Sequence, residues 1–236
     1  MEQTLMKKPD ISSNMLKYIA ITAMFFDHFF AVFVIHESLA GSLLRITGRL
    51  VAPIMCYLVA EGFHYSSDVK KYIQRLFIFA LVSHFPYVLY FDLPWWRATS
   101  VIWGLTLGLI ALTLVKRTSL PLYIKVLGVA VCCLLAYNAD WNFISTLWIL
   151  FFGIFRGNFT KQMLSFSVVG LILYIIPTLI SSGIMHAYAF GIFLAIPLLY
   201  NYHGRQGKKD KFLKWGFYIF YPTHLLLLFL LRLAIM

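Results

Sequence analysis

Asp27 and His28 stand side by side in the run YIAITAMFFDHFF, from Tyr18 to Phe30, where almost every neighbour is apolar. An imidazole held away from water suits two kinds of chemistry. It takes a proton from an incoming N–H or O–H group, or it forms a covalent adduct with an electrophile. A carboxylate in the same surroundings needs a cation, because an unpaired buried charge is expensive. Two more histidines fall at comparable positions. His28 lies 11 residues after Lys17, His84 lies 13 after Lys71, and His224 lies 10 after Lys214. At about 1.5 Å per helical residue, each is ~15–20 Å from a basic boundary. That distance reaches the middle of a hydrocarbon layer ~30 Å thick.

Helical phase refines the first pair. The step from Lys17 to His28 is three turns plus about 20°, so both side chains share one face. Asp27 points about 100° away, and adjacent helical residues do not face each other. It is expected to pair with a cation on another helix. The stretch LRITGRLVAPIMCYLVAEGFHY offers Arg45 and Arg49, one turn apart. Arg45 can snorkel outward, so Arg49 is the expected partner of Asp27 by depth. Gly48 permits close approach of a second helix, and Pro53 is expected to kink its own. Glu61 and His64 follow toward the basic end. In KWGFYIFYPTHLLLLFLL, the side chains of Trp215, Tyr218, Tyr221 and His224 lean to one side, and Pro222 interrupts the hydrogen-bond ladder just before the histidine. Asp140, in YNADWNF, reads equally as a helix N-cap or as a site residue. For all of these groups the alternative is a structural polar contact between helices.

These residues sit on a chain that is 61% hydrophobic and 12% charged, with 22 phenylalanines. Soluble domains carry roughly twice that share of charge. Nine apolar runs, at roughly 16–35, 43–64, 72–91, 100–115, 121–137, 142–155, 162–180, 184–200 and 214–235, predict an all-α, polytopic membrane bundle of about nine transmembrane helices, with eight to ten as the range. The polar tail, 1–14, does not resemble a cleavable signal, and residues 15–236 read as one transmembrane domain. With the N-terminus cytoplasmic, sixteen of the twenty basic residues fall on inner segments, while Arg45, Arg49, Arg97 and Arg232 stay outside. This agrees with the positive-inside rule in every loop. It also accounts for the net charge of +11 without nucleic acid, since no separate basic domain exists to bind it. Cys56, Cys132 and Cys133 lie within apolar runs and have no metal or disulfide spacing.

The segments LKYIAITAMFFDHFFAVF, LRITGRLVAPIMCYLVAEGFHYSSDVKKYIQRLFIFALVSHFPY, ADWNFISTLWILFFGIFR and FYIFYPTHLLLL, taken in order from about Leu16 to Leu228, resemble the TraX family. The chain departs from that pattern at His84, where relatives carry an acidic residue. The resemblance implies a multi-pass protein of the bacterial inner membrane related to membrane acyltransferases. Those use cytoplasmic acyl-CoA and share a basic residue, ten intervening residues and then a catalytic histidine, which Lys17 and His28 match. The implied activity is transfer of an acetyl group from acetyl-CoA to an amine, such as a pilin N-terminus, or to a hydroxyl on a protein, peptide or glycan acceptor. His28 is then the general base or the carrier of a covalent acetyl group. Asp27, Arg49, His224 and Tyr221 complete the catalytic set, with Arg49 or Tyr221 at the oxyanion. Lys17, Lys70, Lys71 and Arg75 face the CoA phosphates, with Glu61 and His64 beside them, and no metal is implied. Two readings of other classes stay open: a channel or proton-coupled transporter with a histidine relay, and a non-catalytic membrane assembly factor.

Overall fold

The computed structural model describes residues 10–33, 45–207 and 211–235. Most of the tail, the segment 34–44, Lys208 and Lys209 lie outside the described residues. In a hydrocarbon layer every backbone N–H and C=O must be satisfied within the protein, which leaves helices as the economical solution for apolar runs. The described elements are α1 (Ser13–Phe33), a 3-10 turn (Thr47–Leu50) leading into α2 (Val51–Tyr65), α3 (Val69–Tyr90), α4 (Val101–Lys116), α5 (Leu122–Leu135) and α6 (Asn142–Ile154). They continue with α7 (Phe159–Gly170), a π-helical stretch (Leu171–Ile175), α8 (Ile176–Ser182), a 3-10 run (Ile184–Leu194), α9 (Ala195–Tyr200) and α10 (Lys211–Ile235).

These elements form nine rods among the described residues, one for each expected span, and the chain is a membrane helical bundle. Four rods are long and apolar enough to cross a membrane: Ser13–Phe33, Val69–Tyr90, Phe159–Ser182 and Trp215–Ile235. The others are shorter. Two expected spans are less regular than their sequences suggest. The seventh is interrupted by the π stretch, and most of the eighth is 3-10 helix.

Burial sorts the rods. Trp148, Ile149 and Phe152 of α6 and Leu105, Leu109 and Leu112 of α4 are almost fully enclosed, whereas Leu122, Tyr123 and Leu127 of α5 and Phe77, Ile78 and Leu81 of α3 are exposed. Exposed apolar side chains of this kind are the lipid-facing surface of a membrane bundle. The central α4–α6 contact depends on Gly104 and Gly108, a small-xxx-small pair. A Cβ at Gly108 would meet Ile149 Cδ1 at 2.6 Å and the Thr146 Cα at 3.2 Å. The Thr146 hydroxyl donates to the Gly104 carbonyl at 3.4 Å across the same seam.

The helix ends are closed by side chains. Asp68 caps α3 by accepting from the Lys71 N–H at 3.0 Å, and Asn158 caps α7 by accepting from the Lys161 N–H at 3.0 Å. At the far end of α3, Arg232 of α10 donates to the carbonyls of Tyr90 (3.1 Å) and Leu89 (3.4 Å). A cation there also complements the helix dipole. Gly108→Val should force α4 and α6 apart at a cost of about 1–3 kcal/mol. Its thermal midpoint in detergent should fall below that of the parent protein, and an unchanged midpoint would contradict this packing.

Candidate functional site

A cavity of about 910 Å³ extends along the bundle, lined mainly by α1, α2, α3 and α10. One end carries Lys17, Asp68, Lys71 and Arg75; the other carries Asp27, His28, Arg49 and Asp140. Lys17 and His28 therefore line one continuous space, as their helical phase requires. The basic end is also where the N-terminal segment meets the segment after α9. There the Ile11 N–H donates to Asn201 O at 2.9 Å, the Ser13 N–H donates to Arg205 O at 2.8 Å, and Arg205 pairs with Asp10.

Near the other end, His28 Nδ1 lies 2.8 Å from His224 Nε2, with the rings stacked at a centroid distance of 5.0 Å. Both residues are buried. His224 Nδ1 is 2.9 Å from the carbonyl of Phe220, one turn back along α10. A carbonyl can only accept, so His224 Nδ1 carries its proton and its Nε2, in the neutral ring, is an acceptor. His28 Nδ1 must then donate to it. These two contacts fix both tautomers and leave His28 Nε2 as an unprotonated acceptor, on a residue that lines the cavity. The Tyr90 hydroxyl donates to the His28 carbonyl at 2.5 Å and holds α1 against α3 at this level.

Asp27 faces the other way, toward the 3-10 turn. Arg49 donates to its Oδ2, and Arg45 Nε lies 3.8 Å from its Oδ1. The carboxylate occupies the space that a Cβ on Gly48 would fill. Arg45 sits over the Tyr188 ring at 4.8 Å, and Arg49 lies 5.6 Å from the same ring and 5.8 Å from that of Trp141. Tyr188 comes from the 3-10 run, which approaches closely because Gly191 has no side chain to strike the Ile46 carbonyl. Among the described residues, the Nε atoms of both arginines are enclosed without a hydrogen-bond partner, and Tyr221 lines the larger cavity.

A second cavity, about 380 Å³, lies beyond Arg49, Asp140 and Trp141, which line both spaces. Asn142, Tyr174, Thr178 and Ser181 form its other walls, at the end of the bundle opposite Lys17. Tyr174 belongs to the π stretch, a feature that recurs at functional sites. Asn142 has φ 45°, in the left-handed region that asparagine tolerates better than most residues. Asp140, in the turn before α6, caps nothing: the N-cap of α6 is Trp141, without a side-chain cap bond. Asp140 is accessible through the two cavities that it lines, and the protein around them pushes its carboxyl up to about 6, by desolvation first, with Arg49 opposing.

The structure brings together His28, His224, Asp27, Arg49, Tyr221, Lys17, Lys71 and Arg75 around the larger cavity. Glu61 also lines it, but its carboxylate is held by Arg156, with Nε at 2.8 Å and Nη2 at 3.3 Å. Lys70 and His64 do not line it, and neither does His84, whose ring lies edge-on to Phe85. Arg45, expected to snorkel, turns inward because Asp27 and Tyr188 both attract it. Missed altogether were Tyr174 and Tyr188, aromatic residues with no sequence mark beyond hydrophobicity. Gly48→Ala places a methyl group against the Asp27 carboxylate. It should cost about 1–3 kcal/mol by overpacking, read as a lower thermal midpoint, and a midpoint equal to the parent's would refute this placement of Asp27.

Sequence comparison with known proteins reaches nearly the whole chain. No solved structure matches. The chain is 30% identical over 234 residues to the probable fimbrial assembly protein FimC, serogroup H1, of Dichelobacter nodosus, covering 93% of this chain and 95% of that protein. The family model described as TraX protein matches residues 12–232, and the chain belongs to the TraX family.

Proposed function

We propose that the chain is an acetyl-CoA-dependent acetyltransferase of the bacterial inner membrane, modifying an amine or hydroxyl of a surface-fibre subunit or a similar acceptor. One observation carries this reading: a cavity with a basic end leads to a lining histidine, His28, whose tautomer leaves Nε2 as an acceptor. The name of the fimbrial relative supports a pilus-related acceptor. A volume near 910 Å³ is in the range of pockets that enclose cofactor-sized molecules.

Acetyl-CoA supplies a thioester carbonyl carbon open to attack. With the basic end in the cytoplasm, Lys17, Lys71 and Arg75 attract the anionic phosphates of the nucleotide end. An extended arm of ~15–20 Å then spans the distance from the mouth to His28. His28 Nε2 takes the proton of the attacking N–H or O–H as the new bond to the acetyl carbon forms. The same nitrogen returns the proton to the departing thiolate. His224 holds the His28 ring in the productive tautomer and is a positioning residue. Tyr221, whose ring lies 5.6 Å from that of His224 and which lines the same cavity as Arg49, is the oxyanion donor, with Arg49 as a second candidate donor.

A proton relay across the bundle needs a continuous series of groups that both take and give protons. The His28–His224 chain ends instead on a backbone carbonyl. His28→Ala should leave a folded, inserted protein with no acetyl transfer from radiolabelled acetyl-CoA, and transfer at the normal rate would refute the proposal. His224→Ala should lower kcat by about 10²–10⁴, the usual worth of a correctly set general base. Lys17→Glu should raise the KM for acetyl-CoA more than it changes kcat, because Lys17 serves uniform binding. A kcat loss of equal size would place it in the chemical step instead.

A further inference from the structure

Asp140 is a carboxylate at the partition that the proposed reaction leaves unused. It lines both cavities together with Arg49 and Trp141. Asp27 engages both neighbouring arginines, and no cation lies within ion-pair distance of Asp140 among the described residues. The Tyr87 hydroxyl faces the carboxylate, and a neutral hydroxyl does not balance its charge. An exposed carboxylate that lines two cavities, with no cation within ion-pair distance among the described residues, is a place for an ammonium group to dock. The second cavity supplies the route. It opens at the end away from Lys17, its walls include Asn142, Thr178 and Ser181, and the π stretch and the left-handed Asn142 shape it.

We propose that the second cavity is the acceptor's entry site and that Asp140 binds the acceptor there as a primary ammonium. This inference rests on the acetyltransferase reading. It narrows the acceptor to an amine and places its approach opposite to that of the donor. The protons balance in two steps. Asp140 first accepts one proton from the ammonium and passes it to water in the second cavity, leaving a neutral amine with a lone pair. The amine nitrogen then bonds to the acetyl carbon as the carbon–sulfur bond breaks. His28 takes the second proton and delivers it to the thiolate. The raised Asp140 carboxyl supports this order, since a carboxylate of ordinary acidity is a poorer acceptor of an ammonium proton.

The test uses the full-length protein in nanodiscs, radiolabelled acetyl-CoA and a short synthetic peptide with a free α-amine. Asp140→Asn should raise the KM for the peptide by at least about tenfold, the scale of one lost charge-assisted hydrogen bond. The acetyl-CoA-induced thermal shift should be unchanged. Asp140→Glu should recover part of the loss. Thr178→Trp, which fills the second cavity, should also raise the peptide KM with the acetyl-CoA shift intact. An unchanged peptide KM in Asp140→Asn and Thr178→Trp overturns the proposal. So does loss of the acetyl-CoA shift in Asp140→Asn, which would assign the residue to the donor site or to the fold. If the parent protein shows no acetyl-CoA shift at all, the acetyltransferase reading falls, and this inference falls with it.

Discussion

The ion cluster around Asp27 is the constraint on which the rest of the site depends. A carboxylate in the middle of an apolar helix is tolerated in a bilayer only with a cation beside it. Here Arg49 is bonded to one oxygen and Arg45 is close to the other. Both arginines come from the beginning of the second rod, so α1 cannot shift or rotate without separating opposite charges in a medium that screens them poorly. The glycine at position 48 brings the two backbones close enough for this pairing. The aromatic faces of Tyr188 and Trp141 enclose the guanidinium groups and draw the 3-10 run and the start of α6 into the same centre. His28 follows Asp27 in sequence, so the orientation of its ring toward α10 is a consequence of where its neighbour is held.

Charge is distributed to match. The basic end combines solvent-facing lysines such as Lys71, whose partner Asp68 also caps α3, with the Glu61–Arg156 pair that closes one wall. The partition between the cavities instead carries fixed guanidinium groups and two carboxylates, Asp27 and Asp140. The first environment suits reversible capture of a polyanion from water. The second suits placing a small reactive group with little freedom, because its charged members are already oriented by one another.

Much of this was legible from the residues themselves. The phase between Lys17 and His28 sets one wall of the cavity, and equal depth pairs Asp27 with Arg49. Equal depth gives His28, His84 and His224 the same standing, and only tertiary packing brings His28 and His224 together and leaves His84 aside. Neighbouring basic residues were harder to sort. Lys70 and Lys71 differ by 100° of helical rotation, enough to place one in the cavity wall and the other outside it. Asp140 was recognised as polar and boundary-placed, but nothing local tells a cap from a turn residue folded back between helices. Tyr174 depends on a π stretch, whose one-residue change of register leaves no pattern in an apolar run.

The histidine chain ends on the carbonyl of Phe220, a neutral group, where many hydrolytic relays end on a carboxylate. A carbonyl fixes the direction of the proton donors but offers no countercharge to an imidazolium. His28 is therefore held in a state ready to receive a proton, yet is given little reason to keep one. Such a base works best as a brief way-station, when the group that leaves can take the proton back at once. In the proposed transfer that group is the thiolate, so the neutral end of the chain favours a proton that passes through His28 over one that stays there.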